Sequence, residues 1–199
     1  MQVLETLKRS IEQATDIGKR SSASLRRFLR QRRARTAWFR DDGTIPNNPR
    51  LPLVHYRSPV RLSEAADPAA VFEQLFESNG WSDSWRDGIY DYSHYHSATH
   101  EVLGVARGHA RVRFGGHIGK VIELRAGDVA ILPAGTGHQR LSATGDLLVV
   151  GAYPAGGNYD ECRGSHKQHE RARASISQVP LPAKDPVYGA EGPLLDLWR

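Results

Sequence analysis

Three histidines and one glutamate are the residues in this sequence whose types and spacing are most suited to chemistry. His94 and His96 are two residues apart, and in a β-strand that spacing places both imidazoles on one face. Glu101 follows after a short interval, and His138 follows a Gly-Thr-Gly turn. Imidazole and carboxylate groups are ligands of iron, manganese, nickel, cobalt and zinc. We therefore predict one bound divalent transition metal ion, with two coordination positions left for water, dioxygen or a chelating substrate.

Two other interpretations of these histidines stay open. A His-x-His pair by itself occurs at the surface or in a hydrogen-bonded core more often than at a metal ion. His100 directly precedes Glu101. Because a shift of one residue along a strand reverses which side chains face inward, such a shift would bring His100 to the metal in place of Glu101 and produce an all-histidine site.

Short β-type segments surround these residues. The run from residue 109 to 114 alternates, with Ala110, Val112 and Phe114 on one face and charged side chains on the other. Residues 121–124, 129–132 and 147–150 are further short apolar runs, separated by Gly, Pro, Asp and Ser. Many short strands with regular turn signals are typical of a β-sandwich or barrel. We predict an all-β domain with its barrel core at about residues 88–153.

One peripheral helix is predicted ahead of this core. Asp67 is a typical N-cap, Pro68 suits the first helical position, and Gly80 ends the helix. The apolar stripe that we expect to pack on the barrel consists of Val71, Phe72, Leu75 and Phe76. After Pro154 the chain is polar and rich in proline, and we predict loops with little regular structure there.

Residues 1–40 are strongly basic and are predicted to form a helical N-terminal extension, because Leu4, Leu7 and Ile11 recur along one helical face. The segment has eleven Lys or Arg and three acidic residues, a balance of +8 within a total of +5, so the rest of the chain carries −3. Such charge suits nucleic acid or an anionic membrane, and an Arg-rich, acid-poor start also resembles a transit peptide. Since no DNA-binding pattern accompanies the charge, we favour a solvated helix and predict neither a nucleic-acid nor a membrane partner.

Cysteine usage and hydropathy bear on location. Cys162 is the only cysteine, so no intramolecular disulfide is possible. No run of about 18 apolar residues occurs, and the start of the sequence lacks the apolar segment of a secretory signal. These features predict a cytoplasmic protein in which residues 41–199 form a single domain.

The spacing of two motifs resembles that of the cupin superfamily. The first motif consists of Gly88, five residues, His94-x-His96, four residues, Glu101, six residues and Gly108. The second consists of Gly127, five residues, Pro133-x-Gly135, two residues and His138. The resemblance implies a double-stranded β-helix, which is a small jelly-roll barrel. It also assigns the metal ligands to the matching positions, which are His94, His96, Glu101 and His138.

The resemblance extends to one group within the cupins. Residues 81–88, 94–104, 151–154 and 185–189 are similar to the YjlB-like single-domain cupins. This similarity covers about residues 45–199. It implies the cupin fold and a bound metal ion, and it does not indicate a substrate. The second motif departs from the cupin pattern at Ser142, where the family usually has an asparagine, and this departure puts in doubt a contact behind the metal ligands.

The charge of the predicted site bears on its substrate. Three neutral imidazoles and one carboxylate around a dication leave a net charge of about +1, which favours anionic or enolisable oxygen ligands. Arg140 lies two residues after His138 and would clamp a carboxylate if it shared the inward face. Tyr90 and Tyr92 have the parity of His94 and would line the substrate pocket. The alternatives are that Arg140 points to solvent after a bulge and that both tyrosines belong to the core.

Three functions are compatible with these features. The favoured one is a metal-dependent enzyme of dioxygenase, decarboxylase or isomerase type that acts on a small oxygenated molecule, with dioxygenase-like chemistry ahead of isomerisation. The alternative is a metal-containing module that binds or senses a small molecule without catalysis. A nucleic-acid-associated regulator is the third, and residues 1–40 show no helix-turn-helix pattern. Since small cupins commonly pair through their sheets, the resemblance also implies a homodimer.

Overall fold

The computed structural model of the protein describes residues 22–199, and the predicted helix with Leu4, Leu7 and Ile11 lies outside this part. The strands of the described part are β1 (Arg35–Ala37), β2 (Leu53–Tyr56), β3 (Trp81–Asp87), β4 (Glu101–Arg107), β5 (His109–Phe114), β6 (Lys120–Arg125), β7 (Val129–Leu132), β8 (His138–Ala143) and β9 (Leu148–Pro154). Its α-helices are α1 (Ser22–Arg26), α2 (Pro68–Ser78), α3 (His166–Ser175) and α4 (Leu194–Leu197).

Two antiparallel sheets form the barrel. The larger sheet has the strand order β1-β2-β7-β4-β9-β3, and the smaller has the order β6-β5-β8. Side chains of both sheets meet in one buried apolar cluster, to which β4 contributes Leu103 and β5 contributes Val112 and Phe114. The alternation predicted for β5 is confirmed, since Ala110, Val112 and Phe114 are all buried. This arrangement of antiparallel strands confirms the predicted all-β jelly-roll fold.

The larger sheet is apolar on both faces because α2 covers its outer side. Val102 of β4 packs outward with the helix residues, while its neighbour Leu103 packs into the barrel. Gly104 makes room for the helix, since a Cβ there would overlap the ring of Phe72. The Asp67 side chain accepts hydrogen bonds from the first backbone N–H groups of α2, as the sequence predicted.

The prediction of helix up to residue 40 is wrong for the part that the structure describes after α1. The backbone N–H of Arg30 donates to Pro59, and β1 pairs with β2 at the edge of the larger sheet. Phe28 is 2% exposed and packs in the core outside the barrel. Tertiary pairing therefore overrides the helical propensity of this arginine-rich segment, and the division at residue 40 falls inside the domain. Strands β1 to β3 also precede residue 88, so the barrel begins before the predicted core.

The prediction of loops after Pro154 is wrong for residues 166–178. Helix α3 is followed by a 3-10 turn at Ile176–Gln178. Ser165 and Gln168 form a capping box at the start of α3, and Ala172 is buried while nearly all of the remaining side chains are polar. Such a helix gives little apolar periodicity to detect. Within residues 22–199, no helix is long and apolar enough to cross a membrane.

Candidate metal centre

Two paired segments bring the three histidines of the motifs together. His138 opens β8, and its backbone exchanges hydrogen bonds with that of His94, at 3.2 Å and 2.9 Å. His96 lies two residues further along, and its carbonyl accepts the N–H of Gly135. Tyr95, between the two histidines, points into a separate apolar cluster, as alternation along an extended chain requires. The backbone pairing therefore fixes three imidazoles on one side of the segment.

The imidazoles are buried and point their ring nitrogens at a common centre. Their candidate ligand atoms lie within 4.8 Å of one another, and the exposures of His94, His96 and His138 are 3%, 5% and 3%. Each Nδ1 faces a backbone carbonyl, which belongs to Tyr92, Asp160 and Thr136 respectively. Because a carbonyl only accepts, each Nδ1 carries a proton, and each Nε2 is directed at the centre, where it can bind a cation once it has no proton of its own.

Glu101, the first residue of β4, completes this cluster. Its Oε2 atom lies 3.5 Å from the Nε2 of His96 and 3.4 Å from the Nε2 of His138. The same oxygen is buried and has no hydrogen-bond partner among the described residues. A buried carboxylate oxygen without a hydrogen-bond partner is costly unless a cation, either protonated His96 or a bound metal ion, lies beside it. The residues present therefore fit a divalent metal ion bound by three imidazoles and one carboxylate.

The protonation of these groups follows from burial and mutual charge. Burial, with the charge of neighbouring His94, lowers the pKa of His138 to about 3. Burial acts to raise the pKa of Glu101, but the charges of His96 and His138 outweigh it and hold this pKa at about 2. Burial acts to lower the pKa of His96, but Glu101 outweighs it and raises this pKa to about 9. One proton at His96 thus balances the carboxylate charge, and a bound cation would take its place.

A cavity of about 460 Å³ opens onto this cluster. Aromatic side chains provide much of its wall, and these are Trp85, Tyr90, Tyr153 and Tyr159. Burial, together with the negative charge of Glu101, raises the pKa of the Tyr153 hydroxyl. Tyr153 therefore keeps its proton at neutral pH and can donate it in a hydrogen bond.

Of the three residues predicted for the substrate pocket, one lines the cavity and two do not. Tyr90 lines the cavity, and its ring lies 5.2 Å from that of His94. Tyr92 stands behind it, stacked at 4.8 Å, and is not among the lining residues. Arg140 is also absent from the lining. Its Nε donates to the Ile89 carbonyl at 2.8 Å, which turns the guanidinium along the rim of the barrel.

The structure places Glu101, and not His100, with the three imidazoles. His100 is 1% exposed, and its Nδ1 accepts the Ala134 N–H at 2.9 Å. Its ring packs against Trp198 at 4.7 Å. Burial lowers the pKa of His100 to about 4. The one-residue shift that would have exchanged the two side chains does not occur.

Sequence reasoning missed four residues that build this site. Trp85, Tyr153 and Tyr159 line the cavity, and Asp160 supplies the carbonyl that faces His96. The Asp160 carboxylate also accepts from the N–H groups of Ser97 and Ala98 and from the Ser97 hydroxyl. The available signal was Tyr153 in a buried strand beside the motif strand β4, since a buried tyrosine needs a partner for its hydroxyl.

Comparison with known proteins gives one close relative and several distant structural neighbours. No protein-family model matches the chain. Uncharacterized protein YjlB of Bacillus subtilis (strain 168) is 42% identical over 168 residues, which cover 84% of this chain and 98% of that protein.

The Bacillus anthracis acireductone dioxygenase with a cadmium ion in its active center has a TM-score of 0.35 at 18% identity, over 48% of this chain and 68% of that one. A TDP-fucose-3,4-ketoisomerase of Campylobacter jejuni has a TM-score of 0.36 at 13% identity, over 45% and 71%. Structural similarities at this level carry no conclusion about activity.

Proposed function

The chain belongs to the family of the Bacillus subtilis protein YjlB, and we propose that it is a metal-dependent enzyme acting on a small oxygenated molecule. The proposed ligands of its one divalent transition metal ion are His94, His96, Glu101 and His138. Iron, manganese, nickel, cobalt and zinc all suit this ligand set. The proposed chemistry is of dioxygenase, decarboxylase or isomerase type.

One observation carries the proposal, namely the orphaned Oε2 atom of Glu101. The carboxylate is 2% exposed and faces the Nε2 atoms of His96 and His138. A protein that buries a carboxylate for stability alone surrounds it with donors. Here the Nδ1 hydrogen bonds of His94 and His138 go outward to backbone carbonyls, so the carboxylate faces ring nitrogens that a metal ion can bind.

The residues around the centre suit catalysis on an oxygen-bearing substrate. A divalent ion held there would polarise a carbonyl, carboxylate or enolate oxygen. Tyr153 accepts a hydrogen bond from the indole N–H of Trp85 at 2.9 Å, which orients the phenol beside Glu101, where its O–H can donate to a substrate oxygen in place of the carboxylate. Leu103 and the aromatic side chains also line the cavity, and an apolar lining reduces the access of water to a bound substrate.

The test is to load the protein separately with each candidate metal and to screen small hydroxy, keto and enolic acids. Oxygen consumption, carbon dioxide release and isomerisation are followed in parallel. We expect turnover with one of the metals, lost in His96→Ala and kept in His109→Ala, whose histidine is exposed on β5. Metal at one ion per chain without turnover in any assay would favour the binding module. The absence of metal binding would contradict both functions.

Assembly and location are further parts of the proposal. The outer strands are β1 and β3 in the larger sheet and β6 and β8 in the smaller, and an open edge is a common place for two chains to pair. We propose a homodimer, and sedimentation at micromolar concentration that shows only a 22.1 kDa species would contradict it. The single cysteine, Cys162, is buried, which accords with the proposed cytoplasmic location.

A further inference from the structure

The wall of the cavity beyond the metal ligands is aromatic. The ring of Tyr90 lies 5.2 Å from that of His94, and the ring of Tyr159 lies 5.0 Å from that of His96. Both tyrosines are partly open to solvent, at 45% and 54% exposure. Tyr153 and Tyr159 meet edge to face at 5.4 Å. A ligand that reaches the imidazoles therefore passes between faces and edges of rings.

A bulge in β3 adds an indole to this wall. The pairing of β3 with β9 shifts between Ser82 and Trp85, and Asp83 has a φ of +52°. The extra residue reverses the alternation, so that Trp85 faces the cavity. Gly151 on β9 lies under the indole, and a Cβ at this glycine would overlap it. Bulges of this kind re-aim a side chain, and here the local irregularity serves the cavity.

The cavity offers a substrate no uncommitted cationic side chain among the described lining residues. Arg86 is the one cation of the lining, and its guanidinium nitrogens are bonded to both carboxylate oxygens of Glu73 and to Asp67. Asp83 and Asp87, which also line the cavity, are exposed. The exposed charged residues of the lining, Asp83, Arg86 and Asp87, therefore carry a net negative charge and form an acidic mouth.

Arg140 and Arg163, which are not among the lining residues, have partners of their own. Arg140 donates to the Ile89 carbonyl, and the Arg163 guanidinium bonds Glu161 while it covers the ring of Tyr92. The sequence expectation that Arg140 clamps a carboxylate therefore has no support in this geometry. Any anionic group on a substrate would have to lie at the metal centre and not further out.

We propose that the cavity selects a planar ring compound that presents oxygen atoms at the metal centre and is uncharged or cationic at its other end. The aromatic wall binds the ring by stacking and edge contacts, and the acidic mouth disfavours a second anionic group. This inference rests on the proposed function, because it assumes a metal ion at the imidazoles.

Matched hydroxamates test the proposal by calorimetry on the zinc-loaded protein. Acetohydroxamate and benzohydroxamate share the chelating group and differ by a ring. We expect the ring to improve affinity about tenfold. The 4-aminomethyl derivative of benzohydroxamate should bind more tightly than the 4-carboxy derivative, and added salt should reduce this difference. Equal affinity of the two parent compounds, or tighter binding of the carboxy derivative, would overturn the proposal.

Variants separate the ring effect from metal binding. Trp85→Leu and Tyr90→Leu should each lose most of the benzohydroxamate advantage and keep the affinity for acetohydroxamate within about twofold. Two aromatic positions are used because Trp85→Leu alone would not separate the loss of the ring from a disturbance of β3. Trp38→Leu is the control, since Trp38 is 61% exposed and lies outside the lining. If acetohydroxamate binds and depends on His96 but the ring adds nothing, the proposed function stands and this inference fails. If zinc itself does not bind, both fail.

Discussion

Two buried carboxylates in this protein have opposite surroundings. Asp185 is fully buried and accepts hydrogen bonds from the Tyr56 hydroxyl at 2.6 Å and from the N–H groups of Val187, Tyr188 and Leu194. Glu101 is equally inaccessible, yet one of its oxygens has no partner among the described residues and faces two imidazoles.

The difference separates a structural carboxylate from a functional one. Around Asp185 the chain supplies four donors, so the cost of burying the charge is met within the fold. Around Glu101 the chain supplies ring nitrogens whose protons are directed elsewhere. Burial and residue type do not distinguish the two sites. The number of carboxylate oxygens with hydrogen-bond partners does distinguish them, and a buried oxygen without a partner indicates where a cation would bind.

The largest effect is expected at Asp185. Asp185→Ala leaves three backbone donors and a phenol without their acceptor, and we expect the free energy of unfolding to fall by about 3–5 kcal/mol. Urea denaturation measures it, with Tyr56→Phe as the control, which removes a single donor and should cost about 1 kcal/mol. Metal content per folded chain should not change. A small loss of stability in Asp185→Ala would show that the fold does not depend on the hydrogen bonds to this carboxylate.

At Glu101 the main expected effect is on metal affinity. Glu101→Gln removes the charge that faces the imidazoles, and we expect metal affinity to fall at least about tenfold. In the presence of a chelator, the free energy of unfolding should also fall, because the charge interaction between Glu101 and protonated His96 is lost, but by less than in Asp185→Ala, since no protein hydrogen bond to Oε2 is lost. Competition with a fluorescent chelator gives the first quantity and urea denaturation the second. A large loss of stability with unchanged metal affinity would reverse the assignment of the two carboxylates.

Asp160 tests how the surroundings of the site orient its ligands. Its carboxylate holds the backbone of Ser97 and Ala98, and its carbonyl faces His96. Asp160→Ala should lower metal affinity about tenfold by loosening that imidazole. Ser97→Ala removes only the hydroxyl that bonds the same carboxylate and should have a smaller effect. Equal, unchanged affinities in both variants would show that His96 is oriented without this segment.

The smallest effect is expected from a third buried carboxylate, Asp128. Burial acts to raise its pKa, but His55 and the N–H groups of Ser58 and Arg125 outweigh it and lower this pKa below the usual value. The unfolded chain therefore takes up the proton first, and the stabilisation is present above about pH 4 and is lost as the pH falls through the lowered pKa. Asp128→Asn should cost about 1 kcal/mol at neutral pH and flatten this acid dependence in urea titrations. An unchanged acid slope would show that other carboxylates carry it.

The sequence predicted the barrel and the cluster for one physical reason, which is that both depend on fixed spacing. His94 and His96 share a face in any extended segment, and the alternation of β5 needs no tertiary information. Trp85 could not be assigned to the cavity because the bulge at Asp83 reverses its parity. The pairing of β1 with β2 was likewise invisible, since the arginine-rich segment becomes a strand through contacts with a distant part of the chain.

The position of the Arg140 side chain could not be predicted for a related reason. Arg140 lies two residues after His138 on the same strand, as expected from the sequence. A hydrogen bond to the Ile89 carbonyl determines where its guanidinium lies. Long side chains are placed by their partners and not by the backbone alone. Helix α3 was missed because its sequence is polar on nearly every side.

Elemental analysis of protein purified without chelator or added metal determines whether the cluster around Glu101 holds a metal ion. The wild type, Glu101→Gln, His96→Ala and the control His109→Ala are compared by plasma mass spectrometry. The account predicts close to one transition metal ion per chain in the wild type and the control, and much less in the other two. The absence of metal from the wild type, with none taken up on incubation, would contradict it. So would equal metal content in all four proteins.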